Sequence, residues 1–162
     1  MKLLFVLFMI SAAIDTTIKD LRVHYALVGV NEGHVTEILN LSANSDEPTV
    51  LAYAAGAEMA SAQYKVSPFS KLSAFNSGKA KLTKVVSANP DNVEVRFIRY
   101  TIQLKCPAML GYNKELKTDR VFLLGEMQSL RKNNPELYKY ILSFMLLHDQ
   151  LSESERESLN LK

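Results

Sequence analysis

Gly78-Lys-Ala-Lys-Leu-Thr-Lys-Val-Val-Ser-Ala-Asn-Pro-Asp-Asn-Val93 is the stretch whose reading decides the fold. Leu82, Val85 and Val86 form an apolar stripe at helical spacing. Asn89-Pro90 ends that helix, because proline disfavours helical geometry at the residue before it. Asp91 or Asn92 then offers a side-chain oxygen to the free N–H groups of a following helix. The stretch is therefore helix, tight polar turn, helix, and it predicts an all-α protein.

The pattern extends in both directions. Asp15 to Val30 carries Ile18, Leu21, Tyr25 and Val28 on one helical face. His34 to Leu41 predicts a short helix with Val35, Ile38, Leu39 and Leu41 inward. A turn over 42–48 offers Ser45 or Asp46 as a cap, with Pro48 early in the next helix. That helix, about Pro48 to Lys65, holds Ala52, Ala54, Ala55, Ala57, Ala60 and Ala62 with Gly56 and Ser61. Alanine favours helix, and so little bulk lets neighbours approach closely, so this helix is expected at the centre. Pro68 to Ala88 follows, with Phe69, Leu72, Phe75, Leu82, Val85 and Val86 as its apolar set. Gly78 in its middle is weak helix material, which predicts close contact with the alanine-rich helix.

Further helices are expected over Asn92–Lys105, Asn113–Arg131 and Pro135–His148. Cys106-Pro107 breaks the first of these, and Gly111 suits a left-handed terminus. Ser152 with Glu155 three residues on opens the tail as a capping box. No strand alternation or hairpin turn is evident. The expectation is an antiparallel helical array of six to eight helices.

A chain of 162 residues is long enough for one domain with a real core, and the formal net charge of +2 is close to neutral. Lys79, Lys81 and Lys84 cluster, but they punctuate an amphipathic helix and read as its solvated face, so no nucleic-acid partner is expected. The first residues read as an address. Lys2 is a minimal positive region, Leu3 to Ile10 is an unbroken apolar run, and Ser11-Ala12-Ala13 supplies small residues for cleavage. The expected organisation is a signal peptide over 1–13 and a single all-helical domain over 14–162, periplasmic or secreted. The apolar run is too short to span a bilayer, so no transmembrane segment is expected in the mature chain.

Gly78, Leu82, Val85 and Pro90 fall at spacings that resemble the second helix of a tetratricopeptide repeat. The resemblance covers one unit. Pro68 interrupts the place of the repeat's first helix, and Arg96, Arg99 and Tyr100 stand where the large–small pattern would resume. Pro68-Phe-Ser-Lys-Leu72, Val93-Glu-Val-Arg-Phe-Ile-Arg99 and Leu110-Gly-Tyr-Asn113 also resemble an uncharacterised family of small exported bacterial proteins. That second resemblance covers about 50–130 and implies no activity. The first resemblance implies a TPR-like superhelix, and the expected role is a non-catalytic scaffold or protein- and peptide-binding module of the bacterial envelope.

Motifs of catalysis are missing from the sequence. His24, His34 and His148 show no metal-site spacing on one helix, so no metal and no cofactor are expected. His34 is placed at a helix start and His24 at a core edge. The single cysteine, Cys106, has only Lys105 beside it as an activator and reads as an inert thiol. The alternative to a binding module is an enzyme whose site is assembled from scattered residues, with Arg96, Tyr100 and Cys106 as candidates. The sharper binding candidate is a set on one helix face: Arg96, Arg99, Tyr100 and Gln103. Two guanidinium forks and an aromatic ring suit an acidic or C-terminal peptide, and Tyr112 and Asn113 follow on a later turn. The simpler reading is a solvent stripe. Replacing both Arg96 and Arg99 by alanine is expected to leave folding nearly intact yet weaken capture of a partner.

Overall fold

In the computed structural model, the backbone is described for residues 2–161 and the side chains for residues 14–161. The described residues form helices α1 (Lys2–Ala26), α2 (Glu32–Ser42), α3 (Pro48–Ala60) and α4 (Pro68–Ala88). They continue with α5 (Val93–Lys105), α6 (Leu116–Asn133), α7 (Pro135–His148) and α8 (Glu153–Ser158). Two short 3-10 turns lie at Ser61–Tyr64 and Ala108–Leu110. No strand occurs among the described residues, so the all-α expectation holds. Helix α1 crosses the point after Ala13 where cleavage was expected, and the side chains of residues 1–13 lie outside the described set.

The helix ends follow local chemistry. Asn92 Oδ1 accepts from the N–H groups of Glu94 (3.1 Å) and Val95 (3.0 Å), as its position before α5 predicts. Ser67 caps α4 and Asn134 caps α7, each with proline in the first turn. Ser152 and Glu155 form both halves of the capping box. Gly111 adopts φ 59°, closing the second 3-10 turn. The cap of α3 is Glu47, whose Oε2 accepts from Val50 N at 2.7 Å, rather than Ser45 or Asp46. Ser45 Oγ instead accepts from Glu47 N at 3.2 Å and orients that cap.

The chain divides into two compact units, Met1–Val95 and Arg96–Lys162, with the boundary inside α5. In the first unit the alanine-rich α3 contacts α1, α2 and α4. Its small side chains bury on several sides, with Ala52 and Ala57 fully enclosed. Tyr53 is the one large residue at its centre, meeting Tyr25 edge-on with ring centroids 5.2 Å apart. Helix α4 presents Phe75, Gly78, Leu82 and Val86 inward. A Cβ added at Gly78 would stand 2.6 Å from the Ala55 carbonyl oxygen and 2.8 Å from Met59 N. Only glycine allows this helix–helix approach.

Some apolar residues expected inward lie outside. Phe69 is 87% and Leu72 49% exposed. The buried face of α4 is centred on Phe75, Gly78, Leu82 and Val86, and at 100° per residue Leu72 falls at its edge and Phe69 well off it. Leu39 is also exposed, because Val35 and Ile38 define the buried face of α2 and Leu39 is turned about 100° from Ile38. In the second unit, α6 and α7 pack together through Leu123, Met127, Ile141 and Met145, all fully buried. Phe97 adds T-shaped contacts to Tyr140 and Phe144, with centroids 5.4 and 5.3 Å away.

Gly78→Ala is expected to destabilise the protein by about 1–3 kcal/mol, because the added methyl meets backbone that cannot rotate away. Chemical denaturation measures this. An unchanged midpoint would mean that α3 and α4 do not meet at this distance.

Candidate binding face on helix α5

Helix α5 is buried on nearly all sides. Val95, Phe97, Ile98, Tyr100, Thr101 and Gln103 are each under a tenth exposed, as is Glu94. Its polar residues therefore cannot form a solvent stripe, and each needs an internal partner.

In the first unit, Arg22 donates from Nε and Nη2 to the two oxygens of Glu94, at 2.7 Å each. Tyr53 donates its hydroxyl proton to Glu94 Oε1 at 2.6 Å. The carboxylate lies in the first turn of α5, where the free N–H groups favour negative charge. These interactions together offset the cost of burying it.

In the second unit the two arginines of the predicted face turn onto one carboxylate. Asp119, in the first turn of α6, is fully buried. Arg99 grips it in a fork, Nε to Oδ2 at 2.6 Å and Nη2 to Oδ1 at 2.7 Å. Arg96 Nε donates to Oδ1 at 2.8 Å, and its Nη2 reaches Thr118 O at 3.3 Å. The Arg96 guanidinium lies 3.8 Å from the centroid of Phe122, which shields it further. Removing these arginines would strip a buried carboxylate of its donors, so the expectation of nearly intact folding is corrected.

Gln103 Nε2 donates to Glu115 Oε2 at 3.1 Å, while its Oε1 is buried without a hydrogen-bond partner. The Tyr100 hydroxyl is enclosed near Asp149 and Arg120 but reaches neither with hydrogen-bonding geometry. Burial, with Asp149 second, pushes that phenol well above its ordinary value. Tyr112 is buried close to Arg99, and burial pushes its phenol up to about 12. Asn113 is exposed and stays outside this group. The structure thus gathers Arg96, Arg99, Gln103 and Tyr112 about Asp119 and Glu115. Cys106 is half-buried at the end of α5, its thiol 3.8 Å from the Pro107 carbonyl oxygen.

A second ionic cluster lies in the same unit. Arg120 donates to Asp149 Oδ2 at 2.7 Å and to both oxygens of Glu155, at 2.6 and 3.0 Å. The Arg120 hydrogen bond first, and the Ser152 N–H second, hold Glu155 down at about 2. In the first unit the folded chain places His24 against His34, with their Nδ1 atoms 3.0 Å apart. Among the described residues no three His, Cys, Asp or Glu side chains gather as a metal-ion site.

Sequence reasoning found the arginines but not their partner. An aspartate in the first turn of a helix reads as a complement to the helix dipole, which conceals its burial. The histidines stand ten residues apart on different helices, so no single-helix spacing could join them. Compared with known proteins, the chain matches no family model, no curated protein and no solved structure.

Asp119→Ala is expected to cost roughly 3 kcal/mol, because two guanidinium groups lose a buried counter-ion. Arg96→Ala should cost less, since the Arg99 fork remains. Equilibrium unfolding of both variants checks this, and equal small losses would contradict it.

Acid should weaken the second unit through Glu155. Its folded pKa lies below the ordinary 4.5, so the unfolded chain binds the proton more readily between those values. The stabilisation is complete above about 4.5 and is lost as pH falls towards about 2. Glu155 and Arg120 are both about a quarter exposed, so solvent moderates the effect. Arg120→Gln should flatten the fall of the thermal midpoint across this window, and an unaltered slope would remove Glu155 as its source.

Proposed function

We propose that this protein is a non-catalytic helical scaffold of the bacterial envelope that binds a protein or peptide partner. One observation carries the reading: a cluster of large apolar side chains stands exposed at one end of the first unit. Val66 is 98% exposed and Phe69 87%, with Leu72 half-exposed beside them in sequence. The Ser67 cap and Pro68 hold the start of α4 that presents them. The loop between α1 and α2 is fastened to the same end. Tyr64 donates its hydroxyl proton to Val28 O at 2.6 Å, and Gln63 Nε2 donates to the same oxygen at 3.0 Å. Val30, 69% exposed, adds to the apolar surface there. Exposed apolar clusters on a rigid frame favour association. Lys65 and Lys71 flank the cluster, which suits a partner that places an apolar residue beside acidic ones.

The arginine face of α5 supports this role differently from the sequence expectation. Its guanidinium groups are committed to Asp119, so they shape the second unit and leave capture to the apolar end of the first. The tetratricopeptide likeness rests on Gly78, Leu82, Val85 and Pro90 alone, at the C-terminal half of α4 and the turn after it. The envelope assignment rests on Lys2, the Leu3–Ile10 run and Ser11-Ala12-Ala13. Leu21, Arg22 and Tyr25, which anchor α1 in the first unit, lie beyond Ala13 and persist after cleavage there.

The test combines Val66→Ser with Phe69→Ser. The pair should abolish capture of the partner recovered from an envelope extract. It should shift stability by no more than about 0.5 kcal/mol per site, as exposed positions do. Capture at the wild-type level would defeat this docking surface. Protein sequencing should find Ile14 as the mature N-terminus, and an intact Met1 in the cytoplasmic fraction would defeat the envelope assignment.

A further inference from the structure

The described histidines of the first unit form a pair that neither the core nor the apolar end requires. His24 lies in the last turn of α1, and His34 in the first turn of α2. Both residues are half-buried. The Nδ1 atoms face each other at 3.0 Å, with ring centroids 5.2 Å apart and planes inclined by 49°. In the neutral pair one Nδ1 carries the hydrogen and the other accepts it.

We propose that His24 and His34 form a binding site for a late divalent transition-metal ion, with Ni(II) as the fitting probe. The distance supports this. Imidazole nitrogens bind such ions at about 2.0–2.1 Å, so two of them at right angles about one ion stand roughly 2.9 Å apart. A tetrahedral ion separates them by about 3.4 Å, a larger spread than the pair shows. The 3.0 Å separation is set by the hydrogen bond, and it already holds the two nitrogens at about the spacing of adjacent corners of a square-planar or octahedral centre. Imidazole suits nickel and copper, which favour those geometries. On binding, the Nδ1 hydrogen moves through solvent to Nε2 of the same ring, and both Nδ1 lone pairs turn to the ion.

The surroundings allow a cation. Glu32, two residues before His34, carries the nearest acidic group in sequence and is half-exposed, with Lys65 3.4 Å away. Because no third His, Cys, Asp or Glu among the described residues joins the pair, water completes the coordination and the ion remains exchangeable. The ion would tie α1 to α2 across the loop at residues 27–31. Any ion that binds the folded chain alone raises its apparent stability.

The test titrates the full chain with Ni(II) at neutral pH, read by calorimetry and by thermal midpoint. One equivalent should bind and raise the midpoint, and chelator should reverse both. His24→Gln and His34→Gln should each weaken binding at least about tenfold, the loss that a disturbed ligand shell brings. His148→Gln, on α7, should leave binding unchanged. If a histidine variant fails to fold, NMR of the unaltered protein decides: paramagnetic Ni(II) should broaden the ring signals of His24 and His34 ahead of His148. No binding, binding that survives both substitutions, or broadening of His148 first would overturn the proposal.

Discussion

Each unit depends on a buried carboxylate that arginine must satisfy. Glu94 in the first unit and Asp119 in the second are almost wholly removed from water. A lone buried carboxylate is so unfavourable that it would take a proton or break the packing. Both occupy the first turn of a helix, where backbone N–H groups supply partial positive charge. That alone is insufficient, and Arg22 completes one site while Arg96 and Arg99 complete the other. The apolar side chains around them stabilise the fold without direction, whereas these forks admit only one placement of the helices that carry them. Within the first unit, the absence of a side chain at Gly78 plays the complementary steric part.

Much of the fold was legible because it is written locally. Proline at helix starts, Asn92 and Ser152 as caps, Gly111 in a left-handed turn and the alanine content of α3 all act within a few residues. The bounds of α4 and α7 follow directly from such signals. What was not legible lies in tertiary pairing. Phe69 and Leu72 precede Phe75 in three-residue steps that drift off the face, and nothing in the sequence says that the face is centred on Gly78, Leu82 and Val86. The polar face of α5 likewise resembles a solvent stripe until Asp119 is brought to it from α6. Arginine is exposed so often that its burial has no local signature.

These two surprises exchange the roles of the surfaces. The residues with the chemistry of recognition, Arg96 and Arg99, are engaged inside the second unit. The residues with the chemistry of a core, Val66 and Phe69, stand in solvent at the end of the first. The proposed binding role therefore rests on apolar surface and not on charge. The meeting of His24 and His34 follows the same logic, since it arises from the packing of α1 on α2 and not from sequence spacing.

The claim that α5 carries its charge inward is tested most directly by a double-mutant cycle on Arg99 and Asp119. The cycle compares the unfolding free energies of Arg99→Ala, Asp119→Ala, the double variant and the wild type. The account predicts a coupling energy of about 1.5–3 kcal/mol, as for a charge-assisted fork held away from water. A coupling below about 0.5 kcal/mol, typical of exposed ion pairs, would contradict it.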